Sequence, residues 1–167
     1  MNLHDDIKCL KLQEEILRFT TFGEEDAWLM GSQMRALAKM KNLPLVIDIR
    51  IGSRPLFYTA IVGTTPENTD WVRRKINTVM RFHKSSYRVG REYLQKGNGF
   101  DASRGINVMD HADAGGGFPI FITGTGVIGT ITVSGVPQRE DHNFVVESIA
   151  TYLKVNYTAL ALQPQSE

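Results

Sequence analysis

The sequence contains a single cysteine, Cys9. An intrachain disulfide is therefore excluded, and so is a thiolate metal cage. Long apolar runs are missing too, since none approaches the roughly 20 residues that span a bilayer. The opening residues, Met1-Asn2-Leu3-His4-Asp5-Asp6, carry neither the basic nor the apolar region of a signal peptide. A reducing, cytoplasmic setting is expected, with no membrane partner. Charge of one sign is also lacking. Nineteen Lys and Arg stand against eighteen Asp and Glu, a formal net charge of +1. That balance, without aromatic residues interleaved among the basic ones, argues against a nucleic-acid partner. The four histidines form no close-spaced pair, so no metal site can be read from spacing.

What remains is an ordinary globular composition. The 167 residues, 42% of them hydrophobic, suit one domain over 1–167 with its own core. Asp5 to about Glu15 reads as a short helix, and Leu17 to Phe22 as a brief edge strand. Gly23 can cap a clearer helix, in which Glu24, Glu25 and Asp26 oppose the positive end of the dipole. Ala27, Met30, Met34, Leu37 and Ala38 recur there at helical spacing. Leu45 to Ile51 and Leu56 to Val62 are apolar runs joined by Gly52-Ser53-Arg54-Pro55, the pattern of a hairpin.

Thr65 is a good N-cap, with Pro66 at the first helical position. The stripe Val72, Ile76, Val79, Met80, His83 and Tyr87 predicts one helix running on to about Leu94. At 1.5 Å per residue it would be roughly 40 Å long, more than one small domain needs. That length predicts a homo-oligomer. Lys96 to Gly117 reads as a long loop with one short helical turn, and long loops are often functional. Phe118 to Thr123 and Val127 to Ser134 form a second hairpin around Gly124-Thr125-Gly126. A last helix follows Pro137, and the tail after Asn156 is expected to be weakly held. Two hairpins among helices predict an α+β fold. The layout is profilin-like or PAS-like, a central antiparallel sheet of about five strands with helices packed on it.

Gly124-Thr125-Gly126-Val127-Ile128-Gly129 matches the dinucleotide fingerprint G-x-G-x-x-G, but Thr130 to Val133 continue as strand. The helix that would hold a pyrophosphate is missing, so the glycines serve a turn. Arg73, Arg74, Lys75, Arg81, Lys84, Arg88 and Arg91 lie in one stretch without an acidic residue. Such a run is usually a solvated helix face, though Arg74 and Lys75 are candidates to meet an anion. His83 falls on the apolar stripe, where a histidine is more often core than ligand. His111 is in the long loop and His142 begins the last helix. The stronger signal is convergence. A hairpin centred on Thr125 puts Phe118 about opposite Thr132, which brings Gly115, Gly116 and Gly117 beside Ser134 and Gly135. The last helix starts there with free N–H groups, His142 at the rim and His111 on the loop above. Phe118 would wall a ring. The plainer reading is that three glycines merely let the loop turn.

These same residues carry a resemblance. Gly117-Phe118-Pro119-Ile120, Gly126-x-x-Gly129, Val133-Ser134-Gly135-x-Pro137 and Asp141-His142 look like the C-terminal half of the GlcG/HbpS-like haem-degrading domain. Gly63-Thr64-Thr65-Pro66-x-Asn68-x-x-Trp71-x-x-Arg74-Lys75 and Arg81-Phe82-His83-x-Ser85-Ser86-Tyr87 are similar to an uncharacterised cytosolic branch of it. The resemblance spans a core of about 10–155. It implies a profilin-like fold and homo-oligomers, and by extension haem as cofactor, bound and opened oxidatively. His83, His111 and His142 would then be the iron candidates, with Arg73, Arg74 or Lys75 for the propionates. The alternative is a non-catalytic oligomeric module that binds a small anionic metabolite or a protein partner.

Overall fold

A computed structural model describes residues 2–163. Helices α1 (Leu3–Ile16) and α2 (Glu24–Met40) precede a hairpin, β1 (Val46–Ile51) and β2 (Arg54–Ala60). Then come α3 (Pro66–Phe82), α4 (Ser86–Gln95), a loop with a 3-10 turn at Ala102–Arg104, a second hairpin, β3 (Gly117–Ile122) and β4 (Gly126–Ser134), and α5 (Gln138–Leu153). The fold is α+β. The strands form one antiparallel sheet in the order β2-β1-β4-β3.

Strand alternation decides what lies on each face. Ile47, Ile49, Phe118, Ile120, Ile131 and Val133 point one way and join Met30, Met34, Val145, Val146 and Ile149 in the main core. The opposite face carries α3, where Val72 and Ile76 meet Val46. Between them on that face lie polar side chains, with Asp48, Thr130, Thr132 and Ser134 all buried.

The sequence expectation of about five strands is corrected to four. The segment from Leu17 to Phe22 makes one parallel bridge, Phe19 to Ile122, and no ladder. Phe19 and Phe22 stack edge to face at 4.9 Å and are buried, so this piece works as an apolar plug. The hairpin register is also one residue off: Thr132 pairs with Gly117, and Phe118 with Ile131, because a bulge falls between Ile120 and Phe121.

The long helix is two helices. His83 takes a left-handed conformation, φ 52° and ψ 36°, and its N–H closes α3 onto the Val79 carbonyl. Ser85 then caps α4 by accepting from the Arg88 N–H at 3.3 Å. Glu14 of α1 fastens the break, accepting from the Ser85 N–H at 2.8 Å and from Arg88. His83 is thereby exposed at a corner and not on the apolar stripe. The length that argued for an oligomer is gone with it.

The tail docks more firmly than expected. Leu160 and Leu162 are buried, Gln13 Nε2 donates to the Leu160 carbonyl at 2.7 Å, and Asn143 pairs with the Leu162 backbone in both directions. At the other end of α1, buried Asp6 receives Arg139 through two bonds of 2.8 and 2.9 Å.

The cap of α3 runs opposite to the expected sense. Asn68 Oδ1 accepts from the Thr65 N–H at 2.8 Å, whereas the Thr65 hydroxyl lies 3.5 Å from the same oxygen. Asn68, in the first turn, supplies the cap.

Candidate functional site

Two hollows divide the candidate residues. The first is a cleft of about 480 Å³ between α3, the end of β4 and the start of α5. Asn68, Trp71 and Lys75 line it from one stripe of α3, while Ser134, Gly135, Val136, Gln138 and Asp141 come from the other side. Spacings of three and four residues put those α3 side chains on one face.

Its floor is an ion pair. Lys75 Nζ donates to Asp141 Oδ2 at 2.8 Å and to the Val133 carbonyl at 3.0 Å, and both side chains are 2% exposed. Asp141 Oδ1 in turn accepts from the Val136 N–H at 3.2 Å. Burial pushes the Lys75 pKa down and the Asp141 pKa up, each against their mutual attraction. At the mouth, the Arg74 guanidinium lies 3.9 Å from the Trp71 ring centroid and donates to Asp70 at 2.9 Å. Arg73 is tied to Asp70, Asp110 and the Met109 carbonyl, so much of the basic run is answered by acids the linear sequence keeps apart.

The three glycines run behind this cleft as the seam between α3 and α5. A Cβ on Gly115 would lie 1.9 Å from the Gln138 carbonyl oxygen. Gly116, at φ 119°, would bring one to 2.4 Å from the Val133 carbonyl oxygen and 2.8 Å from Lys75 Nζ. Close approach of backbones requires these glycines. No side chain caps α5, whose N-cap is Pro137; the Pro137 carbonyl takes the Glu140 and Asp141 N–H groups, and those of Gln138 and Arg139 have no partner among the described residues.

His142 is not at the rim. It is fully buried, 5.3 Å from the Tyr87 ring and 6.2 Å from the Phe118 ring between centroids. Its Nε2 lies 2.8 Å from Gln13 Oε1. An amide oxygen only accepts, so Nε2 carries the proton and Nδ1 is left as a buried acceptor without a partner. Burial lowers its pKa to about 3, which keeps the ring neutral. The first turn of α5 explains the inward aim: Asp141 and His142 take its core side, while Gln138 and Glu140 take the solvent side. His111 lies half-buried on the loop, Nδ1 3.1 Å from the Asn107 carbonyl oxygen, and lines neither hollow.

The second hollow, about 380 Å³, opens where α1 and the edge strand β3 meet the break between α3 and α4. Phe82, Phe118, Pro119 and Phe121 are its apolar lining, His83 stands beside them, and Lys11, Arg18, Lys84 and Arg88 supply cations. Phe118, expected as a ring wall of the first site, lines this one: the one-residue register change pairs it with Ile131 on the core face of the sheet and not with Thr132. Sequence reading missed Lys11 and Arg18 here. Lys11 lies in α1 and Arg18 two residues beyond its end, so no single helical period links them and the sequence carried no clear signal. Among the described residues, no three His, Cys, Asp or Glu side chains converge as a metal cage.

The fold and hollows define an α+β protein with room for a small molecule on each side of its β3–β4 hairpin. Residues 22–150 match the family described as haem degrading protein HbpS-like, and the chain belongs to that family. It is 44% identical to a UPF0303 protein of Mesorhizobium japonicum over 167 residues, all of both chains. Among solved structures, the Ybr137w protein aligns at 27% identity with a TM-score of 0.80, over 89% of this chain and 87% of that one. A PduOC:heme complex shares the fold at 13% identity with a TM-score of 0.62, over 78% and 94%.

Proposed function

We propose that this protein binds haem, as the description of its family and the heme-bound neighbour suggest. The observation that carries the reading in this chain is the hollow at the α3–α4 break. There an exposed imidazole, several phenylalanines and a surplus of cations adjoin. Those are the groups that a macrocycle with a metal centre and two carboxylates needs. Haem, once bound, would supply the redox chemistry of the iron. The chain's part is to hold and orient it. Titration with haemin tests this. A Soret band that saturates at about one equivalent per chain is the expected result, and a chain that stays colourless ends the reading.

A second reading rests on the cleft. There the uncapped start of α5, and the Arg74 guanidinium stacked on Trp71 of the wall, are donors for a compact polar metabolite with an anionic group, on a lining that also holds the Asp113 carboxylate. In this reading Ser134, Gly135, Arg74 and Lys75 serve the ligand, Gly115 to Gly117 hold the wall behind it, and the protein is a non-catalytic module. A colourless chain whose melting temperature rises with small carboxylates would favour it.

In both readings the protein is a cytoplasmic homo-oligomer. No described helix is long and apolar enough to cross a membrane. Trp28, Leu29 and Met40 of α2 and Tyr58 of the edge strand β2 are 65, 51, 73 and 49% exposed, an apolar surface for a second copy. Sedimentation equilibrium distinguishes that assembly from an 18.7 kDa monomer.

A further inference from the structure

We propose that His83 is the axial ligand for haem iron in the hollow at the α3–α4 break, and that Lys11 and Arg18 bind the propionates. The inference rests on the haem reading above and names the residues that would carry it out.

His83 differs from the other two candidates in what its ring is free to do. His142 is sealed between Tyr87 and Phe118 with Nε2 committed to Gln13, so iron could reach it only by emptying the core. His111 has Nδ1 held by the Asn107 carbonyl and faces neither hollow. The ring nitrogens of His83 have no hydrogen-bond partner among the described residues, while its backbone is fixed by the bond to the Val79 carbonyl. An imidazole nitrogen free of other bonds, on a fixed backbone, is what a ligand to iron requires.

The surroundings match the rest of the ligand. Phe82 precedes His83, and Phe121 of β3 continues the apolar surface across the hollow, with Phe118 buried behind it. Its cations are of two kinds. Lys84 and Arg88 are taken up by Glu92 and Glu14. Lys11 and Arg18 make no ion pair among the described residues. The Arg18 guanidinium lies over the Phe121 ring, 4.2 Å from its centroid, and donates through Nε to the Glu14 carbonyl. Its remaining donors can take a carboxylate side-on. With Lys84 and Arg88 answered by Glu92 and Glu14, Lys11 and Arg18 face Glu15 as the one further carboxylate of the lining, so the hollow keeps an excess of positive charge for an anion.

The test is haemin titration of the parent, His83→Gly, and the pair Lys11→Glu with Arg18→Glu, read by Soret position and Kd. Glycine suits the left-handed position, so His83→Gly should melt no lower than the parent, and lost binding cannot be laid to unfolding. The expected result is a shifted Soret band and a Kd raised by about tenfold or more, with added imidazole restoring the parent spectrum. The charge reversals should raise Kd by about tenfold while leaving the Soret position unmoved. If the parent saturates with haemin and His83→Gly gives the same band and Kd, the assignment is overturned while haem binding stands. If the parent itself does not bind, the haem reading fails and this inference falls with it.

Discussion

The cleft and the hollow lie on either side of one hairpin, yet they are built in opposite ways. The cleft is made of groups already satisfied by one another: Lys75 holds Asp141 and the Val133 carbonyl, Asp141 holds the Val136 N–H, and Arg74 holds Asp70. The charges of its floor are buried and shape the fold. The hollow is made of groups the fold leaves over, an imidazole without a hydrogen bond and two cations without an ion pair among the described residues. A polar group inside a protein is costly unless paired, so the cleft's residues cannot be changed without damage to stability. Those of the hollow can. Changes at the cleft should therefore read out in unfolding, and changes at the hollow in ligand affinity.

The largest effect that could break this comparison is at the cleft floor. Lys75→Met leaves the Asp141 carboxylate buried and unpaired, and denaturant unfolding should show a loss of about 3–5 kcal/mol. Adding Asp141→Leu should restore most of it, since two apolar side chains can replace a buried pair at little net cost. A Lys75→Met chain as stable as the parent would mean that the floor is no more structural than the hollow.

His142 sits between the two hollows and sharpens the contrast through pH. Its folded pKa, about 3, lies below the ordinary 6.5. The stability it contributes is thus fully present above pH 6.5 and is lost as the pH falls toward 3, because the unfolded chain takes up the proton first. The slope from this group is about 1.4 kcal/mol per pH unit within that window. Urea unfolding between pH 7 and pH 4 should show it, and His142→Phe should flatten it. An unchanged slope in the variant would place the acid sensitivity elsewhere.

The smallest effect concerns the start of α3, which holds Asn68 and Trp71 at the cleft wall. Asn68→Ala removes the acceptor of the Thr65 N–H and should cost about 1 kcal/mol, whereas Thr65→Ala should cost less. Thermal melts of both variants check the order, and a larger loss at Thr65 would restore the expected sense of the cap.

The helix and strand periods made most of this fold legible. The Ala27 to Ala38 stripe, both hairpins and the helix after Pro137 follow from spacing and turn residues that local geometry dictates. The break after Phe82 was legible in part, since Ser85 and Ser86 are cap residues inside an otherwise helical pattern. The apolar stripe continues through Tyr87 and hides them. What commits the chain to the break is remote: Glu14 reaches Ser85 from another helix, and the Ser86 hydroxyl bridges the Ala114 carbonyl and the Gly117 N–H.

The candidate site was legible as a neighbourhood and not as an arrangement. Hairpin pairing alone brings Gly115 to Gly117 near Ser134, because antiparallel register is a local consequence of the turn. A single bulge then moves that register by one residue, and with a side-chain period of two this pairs Phe118 with Ile131 on the core face and not with Thr132 on the face of α3. Likewise, composition set the count of basic residues at nineteen, but not which of them are free. Arg73 and Arg88 are answered by acids from distant segments, and Lys11 and Arg18 are not. The sequence by itself determined the elements, their order and the family. Burial and pairing across elements decided which histidine is sealed, which is open, and where the uncommitted charge lies, because those depend on distances that only the packed chain creates.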